Sequence, residues 1–220
     1  MKREQPDSKL HIAHDDETEK LRDWWKRNGT GIIAGVLIGI GSVGGIQGWR
    51  MYQDSQGEKA SALYERMLGA AANQETDAAG SAASTLVADH SDSGYADIAR
   101  LMLARLALES GDSEGAKRAL NELLESTSDP VMRQVARVRL AVIALKDGEP
   151  EKIRALAKAE AGEGFASHFQ ELLGDALVAS GDFDGAQQAY QEALRGVAPN
   201  TQAGRLITAK LNMTRKGDDG

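Results

Sequence analysis

Residues 29–49, GTGIIAGVLIGIGSVGGIQGW, run for 21 positions without one charged side chain, in a chain where 27% of residues are charged. As an α-helix this run is about 31 Å long, close to the roughly 30 Å hydrocarbon core of a bilayer. Eight of the 21 residues are glycine, so its apolar character rests on five Ile, two Val and one Leu. Trp24 and Trp25 precede it, and Trp49 and Tyr52 follow it, as aromatic residues do at the two interfaces of a membrane. The segment reads as a transmembrane helix. A cleaved signal peptide has a shorter apolar core and a small-residue cleavage site. Here a 28-residue polar leader comes first, and bulky Trp49-Arg50-Met51-Tyr52 stands at the exit. Gly39, Gly41 and Gly44 match a dinucleotide-binding spacing, but no strand–helix–strand unit follows them.

Charge sets the orientation. The leader holds Lys2, Arg3, Lys9, Lys20, Arg22, Lys26 and Arg27, whereas residues 50–67 hold only Arg50, Lys59 and Arg66. Basic residues stay on the cytoplasmic side, so the N-terminus is expected inside and residues 50–220 outside. The leader also has seven acids, so the net charge of −7 belongs wholly to residues 50–220. An acidic exported domain disfavours nucleic acid, whose binders present a basic face. With no cysteine in the chain, disulfides and thiolate chemistry are excluded.

Within the apolar run Gly31, Gly35 and Gly39 recur every four residues, and Gly41 and Gly45 repeat that spacing. Such stripes let helix backbones approach closely in lipid, so these five glycines are candidates for transmembrane packing.

From Glu58 onward apolar residues recur every three or four positions among many Ala, Leu, Glu and Arg, the pattern of amphipathic helices. The strings SGDSEGAKRAL (110–120) and SGDFDGAQQAY (180–190) share Ser-Gly-Asp-x-x-Gly-Ala, and Asp147-Gly148 falls between them. A period of about 35 residues predicts a solenoid of helix pairs. Its details resemble the tetratricopeptide repeat. Leu173-Gly174 matches the Leu-Gly of a first helix, Ala186 and Tyr190 match the second, and Pro199 follows. Two weaker copies align with it: Leu103-Ala104 with Ala116 and Leu120, and Leu140-Ala141 with Ile153 and Ala157. In each copy the second-helix residue lies 12 after the small one, where close crossing of the paired helices demands small side chains. Arg100, Arg137 and Gln170 replace the usual Trp of the repeat.

The fold expected is therefore all-α, a single N-terminal transmembrane helix followed by a tetratricopeptide-like α-solenoid. It divides into a cytoplasmic leader (1–28), the span (29–49), a linker (50–57), a periplasmic repeat domain (58–213) and a disordered tail (214–220).

Chemistry is sparse. His11 and His14 are spaced i,i+3 in the leader beside Asp15 and Asp16, while His90 and His168 sit among the helices. No nucleophile signature with its catalytic partners, zinc-protease motif or phosphate loop is present. Neither catalysis nor a cofactor or metal is expected.

The order of motifs resembles the YfgM-like family of ancillary SecYEG translocon subunits. The resemblance rests on Asp15 to Gly29 (DDETEKLRDWWKRNG) running into the span, then on Gly48-Trp49-Arg50-Met51-Tyr52 and Arg139-Leu140-Ala141. It continues through Gly162-Glu163-Gly164-Phe165 and Leu173-Gly174-Asp175-Ala176 with Ser180-Gly181-Asp182. What it implies is a non-enzymatic, single-pass protein of the bacterial inner membrane. Its implied partners are the SecYEG translocon, a membrane-anchored periplasmic peptidyl-prolyl isomerase and exported client polypeptides, with passive chaperone hand-over as its role. The residues alone also suit a scaffold for another envelope assembly machine, or a regulator acting through its cytoplasmic leader.

Overall fold

The computed structural model describes residues 10–158 and 163–217. Among these residues there are nine helices and no strand: α1 (Leu10–Ala72), α2 (Thr76–Asp89), α3 (Gly94–Glu109), α4 (Ser113–Ser126), α5 (Pro130–Lys146), α6 (Pro150–Lys158), α7 (Glu163–Ala179), α8 (Phe183–Arg195) and α9 (Gln202–Gly217). The chain divides between Gln56 and Gly57 into two compact units.

In the first unit, α1 contains a window of mean hydropathy 1.8, long and apolar enough to cross a membrane. Its Ile, Val and Leu side chains stand exposed, as do Trp24, Trp25, Trp49 and Tyr52. The Ser42 hydroxyl donates to the Ile38 carbonyl at 2.7 Å, which satisfies the single polar side chain in the middle of the apolar run. Residues 50–57, a linker by their sequence, are helical within α1. Only Gly57 interrupts eight residues otherwise free of turn formers except Asp54 and Ser55, and one glycine costs a helix only about 1 kcal/mol.

The second unit is built from paired helices joined by one repeated turn. Gly111, Gly148 and Gly181 have φ of +85°, +72° and +82°, the left-handed conformation that ends a helix at little cost only in glycine. After each glycine the next amide reaches back to the last turn: Asp112 N to Ala107 O at 2.8 Å, Glu149 N to Ala144 O at 2.9 Å, Asp182 N to Leu177 O at 2.9 Å. The aspartate then caps the following helix. The Asp112 carboxylate accepts from Gly115 N at 2.7 Å, and that of Asp182 from Gly185 N at 2.9 Å. This accounts for the shared Ser-Gly-Asp-x-x-Gly-Ala strings. The first glycine turns the chain, the aspartate caps, and a β-carbon on Gly115 would lie 2.7 Å from the capping carboxyl carbon.

Three apolar clusters run along the unit. Ala60 and Met67 of α1 meet Ala82, Ala83 and Leu86 of α2 and Ala99 of α3. Ala104, Ala116, Ala119, Leu120, Leu123, Ala136 and Ile143 form the second cluster. The third and largest gathers α5 to α9 around the fully buried Phe169, Ile153 and Ile207. At the C-terminal end, where the sequence places a tail from residue 214, α9 continues to Gly217. Thr214 is buried and its hydroxyl donates to the Leu211 carbonyl at 2.7 Å, which holds the last turn in place. Residues 218–220 lie outside the described residues.

Candidate interaction surface

The paired helices α3 with α4, α5 with α6 and α7 with α8 place the repeat residues singled out from the sequence. Ala104 and Ala116 are buried in the second cluster, against which Leu103 and Leu140 pack. Ala141, Leu173, Ala186 and Tyr190 are buried together in the third. Gly174 is also buried, and a β-carbon there would collide with the Tyr190 ring. The five span glycines, Gly31, Gly35, Gly39, Gly41 and Gly45, are exposed with open space beside each, so no part of the described chain fills that stripe. His90 caps the end of α2, where its carbonyl accepts from Ser93. The side chains of His11 and His14 lie outside the described residues.

α5 packs directly on α7, whereas among the described residues α4 and α6, and likewise α6 and α8, make no extended contact. At α5 and α7 the side of the first helices is therefore the closer-packed, inner side of the stack, whereas α3 and α5 make no such contact among the described residues. On the first helices the part-exposed positions fall three or four apart. They are Ile98, Leu101, Arg105 and Leu108 on α3, Val135, Val138, Val142 and Leu145 on α5, and His168, Glu171, Asp175 and Val178 on α7. Val142 is 47% and Leu108 40% exposed, so apolar surface is left open on this face. Arg139 stands exposed beside the valines, while Arg133 is occupied by the Thr127 carbonyl at 2.8 Å.

On α7 the inner face becomes polar and tied. Lys210 of α9 donates to Glu171 and to Asp175, both at 2.7 Å, and the Tyr190 hydroxyl of α8 donates to the other Asp175 oxygen at 2.7 Å. His168 Nδ1 lies 3.6 Å from Glu171. Burial, reinforced by the bond to Asp175, pushes the Tyr190 phenol well above its ordinary value. Burial alone would lower Lys210, but the two carboxylates outweigh it and hold the ammonium above its usual range. The arrangement locks α7, α8 and α9 together through one cation and two acids. Sequence reasoning missed it. The only signal was Asp175 directly after the small Gly174, and its partners lie 15 and 35 residues away.

A second buried network was also missed. Arg100, where the repeat usually has Trp, is 5% exposed and pairs with Asp97 at 3.2 Å. Asp97 in turn accepts from the Thr127 hydroxyl at 2.6 Å. A buried cation needs such a partner, so the departure at Arg100 is compensated by acid and hydroxyl one turn and one helix away.

On the outer side the separation of α4 from α6 opens a cleft of about 280 Å³ floored by Leu140, Ala144, Ala155 and Leu156. At its rim Lys117 bridges Asp147 at 2.8 Å and Glu114 at 2.9 Å. The bond from Lys117 holds the Asp147 carboxyl below its ordinary range, and Asp147, then Glu114, raise Lys117. Among the described residues no three His, Cys, Asp or Glu side chains converge to hold a metal. What the arrangement leaves open is apolar surface at Leu108 and Val142, between the Arg100–Asp97 network and the Lys210–Asp175 clamp.

Known proteins share this organisation. The sequence profile of the tetratricopeptide repeat-like domain family matches residues 22–216. An ancillary SecYEG translocon subunit of Haemophilus influenzae is 30% identical over 201 residues, covering 91% of this chain and 97% of that protein. Its counterpart in Escherichia coli is 26% identical over 186 residues, covering 84% and 89%. That of Aggregatibacter actinomycetemcomitans is 28% identical over 203 residues, covering 91% and 97%. No solved structure matches the chain.

Proposed function

The chain belongs to the family of ancillary SecYEG translocon subunits with a tetratricopeptide repeat-like domain, and from that premise we propose how it works beside the translocon. It is a non-catalytic, single-pass protein of the inner membrane, with residues 1–28 in the cytoplasm, 29–49 in the bilayer and the helical repeats in the periplasm. The span anchors it next to SecYEG and a membrane-bound peptidyl-prolyl isomerase. The inner face of α3, α5 and α7 holds exported chains briefly and passes them on.

The observation that carries this reading is the apolar row Leu101, Leu108, Val138 and Val142 on the first helices, of which Leu108 and Val142 stand exposed. An unfolded chain offers the complementary apolar side chains, and a solenoid offers them a long concave surface. The sequence has no phosphate loop, so release relies on weak affinity rather than on nucleotide hydrolysis. Tethering supplies what affinity lacks, because a membrane anchor raises the local concentration of the face beside a neighbour in the same membrane.

Photo-crosslinkers placed along the inner face, at Leu108 and Val142, test it in intact cells. The expected adducts are secretory chains in transit and periplasmic folding factors. Mild-detergent purification should recover translocon and isomerase peptides. A reporter active only in the periplasm should work when fused after Gly220 and fail when fused within the leader. Adducts confined to cell-wall synthases or pilins, or a reversed reporter pattern, would overturn the reading.

A further inference from the structure

The outer helices of the stack turn polar faces to solvent, as shown by Glu114, Arg118 and Glu122 on α4 and by Asp184, Gln188 and Glu192 on α8. α9 is different. Its buried face is Gly204, Ile207, Leu211 and Thr214, and it packs against α8. On the other side Ala203, Leu206, Ala209 and Met213 recur at helical spacing and are all exposed, Leu206 at 51% and Met213 at 71%. A helix of a soluble domain normally keeps such a stripe against a neighbour.

The charge of α9 indicates what kind of neighbour. Residues 202–217 contain Arg205, Lys210, Arg215 and Lys216 and no carboxylate, within a region of the chain whose net charge is −7. Lys210 is spent on Glu171 and Asp175. Arg205 beside the stripe donates only to the Asn200 carbonyl, at 2.6 Å, and meets no carboxylate among the described residues. We propose that the outward stripe of α9, centred on Leu206 and Met213, docks an acidic amphipathic helix of another polypeptide.

Three kinds of occupant differ in what they would bring to this stripe. A second copy of the chain, packed through the same stripe, brings another acid-free helix, so cations would face cations. A bilayer interface calls for a wider apolar face with aromatic anchors, and this stripe has two large apolar side chains and no ring. An acidic helix meets both demands. Its apolar seam takes Leu206 and Met213 between its own side chains, and its flanking carboxylates pair with Arg205. The site is separate from the inner face on which the proposed function rests.

The test uses the full-length protein in intact cells, with a photo-crosslinking residue in place of Leu206 or Met213 and, as comparison, of Arg118 on the outer face of α4. Crosslinked peptides are sequenced by mass spectrometry. The expected result is adducts from 206 and 213, but not from 118, to a helix-patterned segment of net negative charge in another polypeptide. Arg205→Glu should reduce their yield severalfold while helical circular dichroism stays unchanged. Adducts with a second copy, with lipid or with a segment lacking excess acid would overturn the proposal. So would equal yield at 118, no adduct above the unirradiated control, or yield unaffected by Arg205→Glu. None of these results bears on client capture by α3 and α5.

Discussion

The ring of Tyr190 fills the space that a side chain on Gly174 would need. The contact joins α7 to α8, and the ring cannot retreat freely, because its hydroxyl is held by Asp175 one residue beyond Gly174. Close approach, not backbone conformation, is what requires glycine here.

Gly174→Leu should therefore lower the stability of the repeat domain by roughly 1–3 kcal/mol, the usual cost of overpacking a filled core. Thermal unfolding followed by circular dichroism reads it. An unchanged midpoint would mean that Tyr190 swings away without loss.

The repeated cap predicts a smaller effect at a surface site. Asp182→Ala leaves the Gly185 amide without its acceptor, and a lost N-cap costs about 1 kcal/mol. Chemical denaturation should show a lower midpoint with the slope unchanged. Gly185→Ala should behave similarly, since a β-carbon there would lie 2.8 Å from the Asp182 carboxyl carbon.

The Lys117–Asp147 pair gives a pH dependence whose sign is fixed. Asp147 titrates below its ordinary range when folded, because Lys117 stabilises the carboxylate. Its contribution is present above the unfolded carboxylate value and disappears as pH falls through the lower folded value. Wild type and Asp147→Asn should thus differ in midpoint near neutrality and converge in acid. Lys210 behaves in the opposite sense. Its raised folded value means that its contribution holds below the unfolded lysine value and fades only as alkaline pH passes the folded one.

In the membrane segment, Gly35→Leu together with Gly39→Leu should weaken co-purification with translocon components and leave the repeat domain folded. Both glycines face open space in the isolated chain, so bulk there meets nothing of its own. Unaltered recovery of partners would show that the stripe is not a contact.

Much of this architecture was legible because it is written in local chemistry. The apolar run, the helical periodicity and the Gly-Asp turns each need only neighbouring residues to be read. Gly174 and Ala186 could be aligned because a close crossing admits few residue types. The Lys210–Glu171–Asp175 clamp was not legible, since it is formed by side chains on separate helices and any surface lysine looks alike in sequence. Arg100 was visible as a departure from the repeat, but the Thr127 hydroxyl that holds its partner Asp97 depends on how α4 ends. Residues 50–57 and 214–217 read as polar in sequence yet are helical, because a neighbouring helix extends cheaply once nucleated.

The contact of α5 with α7, set against the separation of α6 from α8, has a mechanical meaning. A stack joined along one edge and open along the other bends about the joined edge, as a book opens about its spine. Among the described residues the outer helices make no extended contact with each other, while sliding the inner helices disturbs the packed cluster around Phe169. Changes of curvature are therefore soft and changes of register stiff. Such a domain can change its curvature with one unaltered set of contacts, and the polar clamp at Lys210 keeps the last pages from coming loose.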